Sequence, residues 1–229
     1  MIQAILCDLD GTLYPYDPSE ALGYQRAQDY AVREMSLALG RFQSEYEKAY
    51  AQQRSDRTGN ICYHSRTIRF QFLCENLGIP LHYAPRLADA YWKGFLEQMK
   101  PFDGVLDALA LFRERGIRLG IGTNMTVERQ FSKLEKLGLL DSFDFIVTSE
   151  EVGIEKPDPA FFRYCADKAK CPAGECLFIG DNIELDVRGA LSAGLKALWF
   201  QPDPVRRAAE DVPSIASWRD VPELVRRGF

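Results

Sequence analysis

The chain has 229 residues, 46% of them hydrophobic and 27% charged, with a formal net charge of −5. This is the balance of an ordinary globular protein able to bury a sizeable core. The acidic excess argues against broad electrostatic binding to nucleic acid or an anionic membrane surface, and no apolar run approaches the roughly 20 residues that span a bilayer. The short apolar run at the N-terminus has no basic stretch before it, so it does not read as a secretion signal. Six cysteines (Cys7, Cys62, Cys74, Cys165, Cys171, Cys176) form no C-x-x-C pair; free, mostly buried thiols in a reducing cytoplasm are expected. Two histidines, His64 and His82, outside any H-E-x-x-H or Cys/His cluster, give no zinc-binding pattern.

The first predicted element is a buried strand over 2–7, followed at once by Asp8-Leu9-Asp10-Gly11-Thr12-Leu13. Two carboxylates two residues apart at the end of a buried strand repel each other, and desolvation sharpens the repulsion. A divalent cation is the obvious compensation. From 16 to 99 no clear strand follows. Asp17-Pro18 with Glu20 resembles a capping box, and Ala27, Ala31, Met35 and Ala38 mark one helical face. Further helices are predicted near 42–53, 65–77 (Phe70, Leu73, Cys74, Leu77) and 85–99 (Leu87, Ala90, Tyr91, Phe95). Pro15 and Pro101 stand near the two junctions, as boundary residues do.

Beyond residue 100 the texture changes to strand and helix in alternation. Apolar runs at 117–122, 143–148, 176–179 and 195–200 are short enough for strands of a buried parallel sheet. Between them lie amphipathic helices: Val105, Leu106, Leu109 and Phe112 after Asp103; Val127, Phe131, Leu134 and Leu137 with Thr126 as N-cap; 160–169 after Pro157 and Pro159; and Ile183, Val187, Ala190 and Leu191 before Gly194. The series predicts an α/β fold, a Rossmann-like open parallel sheet flanked by helices. It divides the chain into a core, residues 1–15 and 100–229, and an inserted helical bundle, residues 16–99.

In such sheets ligands bind at the carboxyl ends of the strands. After the first strand come Asp8 and Asp10; after the second, Thr123 and Asn124; after the fourth, Gly180, Asp181 and, five residues on, Asp186; Lys156-Pro157 follows the third at greater distance. Carboxylates, a hydroxyl and an ammonium converging on one edge are what Mg²⁺-assisted phosphoryl transfer needs. Taken singly, Thr123-Asn124 reads equally as a turn, Asp181 as an N-cap for a helix from Ile183, and Asp186 as a helix-face salt bridge. Glu150, Glu151 and Glu184 read as solvated charges. Arg54, Arg57, Arg66 and Arg69 read as a solvated helix face, and Tyr63 and His64 sit beside a Thr58-Gly59-Asn60 turn.

The four motifs together, in order and each after a predicted strand, resemble the haloacid dehalogenase superfamily of hydrolases, and the insertion at 16–99 resembles the helical cap of one large branch. The resemblance covers essentially the whole chain and is closest from Lys156 to Trp199. It implies Asp8 as nucleophile, giving an aspartyl-phosphate. It implies Asp10 as the acid for the leaving oxygen and base for the hydrolytic water, a role that calls for a raised pKa. Mg²⁺ is implied on Asp8, the Asp10 carbonyl and Asp181. Thr123, Asn124 (through its amide) and Lys156 are implied around the phosphoryl oxygens, Gly11 at the sharp turn, and Asp186 as orienter of Lys156 or of a metal-bound water. The implied activity is a cytoplasmic Mg²⁺-dependent phosphatase, monomer or homodimer, acting on a small phosphorylated metabolite. Leu13-Tyr14-Pro15 and 156–199 look like pyrimidine nucleotidases and sugar-phosphate phosphatases. The alternatives are a dehalogenase, disfavoured because members with that chemistry lack an acid at the Asp10 position, a phosphonatase, a mutase, and a non-catalytic phosphate-binding protein.

Overall fold

The apolar tetrad Ala4–Cys7 forms strand β1, fully buried and central in its sheet. A computed structural model of the chain describes residues 2–55, 61–208 and 211–227. It divides into two compact units, Met1–Pro15 with Lys100–Phe229, and Tyr16–Met99. Arg57 and the Thr58-Gly59-Asn60 turn lie outside the described residues.

In the first unit, β2 (Arg118–Thr123), β3 (Phe145–Thr148), β4 (Cys176–Gly180), β5 (Lys196–Phe200) and a two-residue β6 (Ser214–Ile215) complete a six-stranded sheet, order β3-β2-β1-β4-β5-β6, parallel throughout. The predicted open parallel sheet is borne out; β6 was not foreseen, because two residues leave no periodic signal. Strand alternation sends Ala4, Leu6, Phe178, Ala197 and Trp199 into one core layer with Phe161, Phe162, Cys165 and Val187, and Ile5, Cys7, Ile121, Ile179 and Leu198, equally buried, to the opposite face. The chain steps from β1 to β2 and β3, then crosses back to β4 on the other side of β1. That reversal opens a crevice at the carboxyl ends of β1 and β4, where such sheets hold ligands.

The connecting helices are Val105–Glu114, Val127–Leu137, Pro159–Ala169, and a wide π-type turn Ile183–Arg188 that runs into Gly189–Ser192. The faces differ from the sequence expectation. Leu106, Val127, Phe131 and Leu191 are exposed. On Val127–Leu137 the buried side chains are Gln130, Lys133, Leu134 and Leu137. Thr126 stands at its N-cap position without a side-chain bond, and the Glu150 carboxylate accepts from the Val127 N–H at 2.7 Å instead. Glu150 is exposed, as expected of a solvated charge, and also caps a helix, where an anion is favoured. Glu151 is likewise engaged, accepting from Lys168 at 2.6 Å and Tyr164 at 3.0 Å, and Glu184 pairs with Arg188.

The second unit comprises helices Tyr16–Met35, Leu39–Ser55, Arg66–Leu77 and Tyr83–Glu97. Its core is aromatic: Phe42, Phe70, Tyr91 and Phe95 are fully buried. Arg66 and Arg69 do not form a solvated face; both are buried. Arg66 donates to the Tyr16 hydroxyl at 3.0 Å and to Glu20 at 3.3 Å, over the Tyr91 ring. Arg69 donates to Gln53 at 2.9 Å and to the Tyr46 hydroxyl at 2.8 Å. Planar guanidinium groups tolerate such burial because they stack on rings while most of their N–H groups find acceptors; the buried Arg66 Nε is the exception. Arg54 is exposed, with Tyr50 and Tyr63 beside it. No helix among the described residues is long and apolar enough to cross a membrane.

The Phe178 ring lies 5.0 Å from that of Phe162, near edge-to-face, at the centre of the first unit. Phe178→Ala is expected to cost ~3–5 kcal/mol, as transfer and cavity terms add. Urea unfolding followed by tryptophan fluorescence checks this, and a loss below ~1 kcal/mol would contradict the assignment of this layer as the core.

Candidate active site

Strand β1 ends by delivering Asp8 to the crevice: the Asp8 N–H still bonds to the Ile179 carbonyl of β4 at 2.9 Å, so strand pairing fixes its backbone. The chain then turns on itself, with the Leu13 N–H returning to the Leu9 carbonyl at 3.1 Å. Gly11 makes the turn possible. Its φ is +80°, and a Cβ there would meet Asp181 Oδ2 at 2.5 Å, so both backbone and neighbour exclude a side chain. Thr12, fully buried, donates its hydroxyl to Asp181 Oδ1 at 3.2 Å, and its carbonyl accepts from Trp218 Nε1 at 2.8 Å.

The centre of the site is Lys156. Its Nζ lies 2.7 Å from Asp8 Oδ1 and 2.7 Å from Asp186 Oδ1, all three side chains being buried. Asn124 fixes it from behind: its Nδ2 donates to the Lys156 carbonyl at 3.1 Å and its Oδ1 accepts the Lys156 N–H at 2.9 Å. Asp186 projects from the π-type turn, and its Oδ2 accepts the Asn182 N–H at 3.0 Å. Gly180 leaves it room, since a Cβ there would meet Asp186 at 2.4 Å. The helical cap that Asp181, taken singly, could have supplied is made by Asn182, whose Oδ1 accepts from the N–H groups of Glu184 and Leu185 at 3.0 Å each. Asp181 is thereby left facing the site. Thr123 is buried at the end of β2, its hydroxyl accepting from Gln130 Nε2 at 2.6 Å.

Asp8, Asp181, Asp186, Lys156 and Asn124 are thus brought together. Asp10 is partnered differently. Lys133 Nζ lies 2.8 and 2.7 Å from its two carboxylate oxygens, and the Tyr14 hydroxyl donates to Oδ1. Lys133, Tyr14 and Gln130 were missed in the sequence, where a lysine in a helix reads as solvent-facing. The available signal was that Gln130, Lys133, Leu134 and Leu137 stand at i, i+3, i+4 and i+7, on one face of the helix.

The charges respond to burial and to one another. Burial, opposed by Lys156 and reinforced by Asp186 and Asp10, pushes the Asp8 carboxyl up to about 7. Burial, then the charges of Asp8 and Asp186, pushes Asp181 up to about 8. Burial works against the Lys156 charge, but Asp186 and Asp8 outweigh it and hold its pKa above the ordinary lysine value. The expectation of a raised Asp10 is overturned. Burial alone would raise it, yet the Lys133 ammonium, with hydrogen bonds from Lys133, Tyr14 and Gln130, holds it below the usual carboxylate range.

One oxygen each of Asp8, Asp181 and Asp186 lies within 4.8 Å of the others. Hard anionic donors at this spacing suit a divalent cation that prefers oxygen, and the raised carboxyls register the charge excess a cation would relieve. The donor set fits a metal. Asp10 contributes no carboxylate to it, its side chain being turned to Lys133.

A family model described as haloacid dehalogenase-like hydrolase matches residues 2–194. The chain belongs to the haloacid dehalogenase-like hydrolases. Among curated relatives, this hydrolase is 34% identical to a ribulose-1,5-bisphosphate 5-phosphatase of Halopiger xanaduensis over 96% of its own chain and 93% of the relative. It is 31% identical to a glyceraldehyde 3-phosphate phosphatase of Methanopyrus kandleri, over 99% and 98%. Likeness at this level over nearly the whole of both chains makes it a phosphatase. Among solved structures, a 2-haloacid dehalogenase from Pseudomonas syringae pv. Tomato superposes with a TM-score of 0.77 at 26% identity, over 99% of each chain. The hydrolase therefore shares its fold with dehalogenases, and its curated relatives are phosphatases.

Gly11→Ala tests whether the turn is as constrained as its geometry states. A positive φ costs a non-glycine residue ~1–2 kcal/mol, and Asp181 must also move. A drop of several degrees in melting temperature with loss of hydrolytic activity is expected; wild-type melting and wild-type turnover together would refute the constraint.

Proposed function

We propose that the chain is a Mg²⁺-dependent phosphatase of small phosphomonoesters, nucleoside monophosphates or sugar phosphates, working through an aspartyl-phosphate on Asp8. The observation that carries the reading is the buried ammonium of Lys156 between Asp8 and Asp186, with Asp181 beside them. A free carboxylate oxygen on Asp8 attacks phosphorus, and the bond to the leaving oxygen breaks. Lys156 holds its positive charge where the nucleophile's charge passes to the phosphoryl group, and a preorganised ammonium stabilises that redistribution without rearranging. Thr123 and the Asn124 backbone amide complete the cradle for the phosphoryl oxygens. Asp10, once it has taken a proton from solvent, gives it to the leaving oxygen and afterwards takes one from the water that hydrolyses the acyl-phosphate, restoring Asp8 and releasing phosphate. Its ionised form in the free protein is the one the second half-reaction needs.

Asp8 and Asp181, with the Asp10 carbonyl, would hold Mg²⁺, and Asp186 would keep Lys156 in place. When bound, the ion neutralises carboxylate charge and polarises the phosphoryl group. The presence of Asp10 as a group able to carry a proton supports phosphate chemistry over halide displacement, because a halide leaves without one. The curated relatives support a sugar-phosphate substrate. The helical unit is proposed as the cap that carries the leaving-group contacts; it has a cleft of about 470 Å³ lined by Tyr24, Tyr46, Tyr50 and Arg69, with Asp17 and Glu20.

Phosphate release from p-nitrophenyl phosphate and a panel of sugar phosphates and nucleoside monophosphates, with and without Mg²⁺, tests the function. Asp8→Asn is expected to lower turnover at least ~10³-fold, as loss of a nucleophile does. Turnover that survives Asp8→Asn would remove Asp8 from the mechanism, and turnover that survives EDTA would remove the metal.

The raised carboxyls predict a pH dependence of cation binding. A folded-state carboxyl pKa above its unfolded value means that the folded protein binds more protons. Without cation, stability is therefore lost as pH rises from about 4 through about 8. A cation must displace those protons, so Mg²⁺ is expected to raise the melting temperature more at pH 8 than at pH 6. An equal or larger rise at pH 6 contradicts the assignment of Asp8 and Asp181 as ligands.

A further inference from the structure

A lysine side chain with 1% exposure needs a carboxylate partner. Lys133 has one in Asp10, and it contacts both oxygens, at 2.8 and 2.7 Å. Contact with both oxygens fixes the plane of the carboxylate as well as its position. Tyr14, joined to Asp10 by a backbone bridge across the turn, adds its hydroxyl to Oδ1. One turn earlier on the same helix face, Gln130 donates to the Thr123 hydroxyl at 2.6 Å. A single helix, Val127–Leu137, therefore reaches Asp10 and Thr123 with two side chains three residues apart. The lysines serve different carboxylates: Lys156 contacts Asp8 and Asp186, and Lys133 contacts Asp10.

We propose that Lys133 is a positioning residue that holds the Asp10 carboxylate in the orientation for proton exchange with the leaving oxygen, and so sets how well the enzyme expels poor leaving groups. The proposal rests on the reading of Asp10 as the proton carrier. Its physical basis is that a proton-transfer group contributes only when aimed at the atom it serves. Without Lys133, Asp10 keeps its carboxyl group but loses the contact that spans both oxygens and gains alternative rotamers, with only the weaker hold of Tyr14 and Gln130 left. An alkyl alkoxide must be protonated as it departs, whereas p-nitrophenolate leaves as the anion. Loss of the positioning therefore falls on the first kind of substrate.

The test compares kcat and KM for an alkyl phosphomonoester that the wild type turns over and for p-nitrophenyl phosphate, in the full chain with Mg²⁺. The variants are Lys133→Met, Lys133→Gln, Tyr14→Phe, Asp10→Asn and the double variant Asp10→Asn with Lys133→Met. Lys133→Met is expected to lower kcat on the alkyl ester about 10²-fold and on the aryl ester less than about fivefold, with KM within about twofold on both. The double variant should be no slower than Asp10→Asn alone, since both changes remove one device. Lys133→Gln and Tyr14→Phe should show the same alkyl selectivity in milder form, and they carry the test if circular dichroism shows Lys133→Met unfolded. Equal losses on both esters, a raised KM at unchanged kcat, or a double variant that multiplies the two losses would overturn the proposal. If Asp10→Asn separates the esters but the Lys133 variants do not, only the positioning role fails. If Asp10→Asn does not separate them, the reading of Asp10 fails and the proposal with it.

Discussion

The site depends on one ammonium shared between two carboxylates. Lys156 lies at 2.7 Å from both Asp8 and Asp186 in a region closed to water, where an unpaired charge of either sign would be costly. Two carboxylates around one lysine leave a net negative charge, and Asp181 adds to it. The surrounding structure secures the balance instead of removing it. Asn124 holds the Lys156 backbone by its N–H and its carbonyl, the Asn182 N–H holds Asp186, and Gly180 leaves Asp186 the space it needs. These residues stand at strand ends or in the loops and π-type turn that follow them, so the rigid sheet determines where the charges stand and the segments after it determine how they are paired.

The same economy separates Asp8 from Asp10, two like residues on one short loop. Burial, and proximity to Asp186 with a lysine already shared, leaves Asp8 reluctant to ionise without a cation. A lysine and a tyrosine of its own leave Asp10 ionised. Distinct environments for two identical groups are how a site obtains two chemical functions from one residue type. Here the difference is built by the helix after β2 and by Tyr14, four residues beyond Asp10, and neither lies within the short motifs that point to the site.

What was legible in the sequence follows from the range of each interaction. The strands could be read because burial on both faces imposes continuous apolar runs, and Asp8, Thr123 and Asp181 because each lies directly at a strand end. The faces of the helices could be read only in part. A helix packed beside charged groups buries Gln130 and Lys133 and exposes Phe131, which inverts the usual code. Local capping rules named the wrong partners twice: Asn182 caps where Asp181 was eligible, and Glu150, in the short helix Ser149–Val152 after β3, supplies the oxygen that Thr126 does not. Arg66 and Arg69 looked solvent-facing because their partners, Tyr16, Glu20, Gln53 and Tyr46, lie on other helices.

The bond from Trp218 to the Thr12 carbonyl joins residues 206 positions apart. Strand β1 likewise pairs with residues near 118 on one side and 176 on the other. The loop that bears both carboxylates is made well before its partners: its strand has no strand neighbours until residues near 118 and 176 have followed, and the bond to Thr12 waits for Trp218. During synthesis the inserted helices, rich in local contacts, can form early, whereas β1 must remain unpaired. The part of the sequence that is easiest to recognise is thus among the last to acquire its structure.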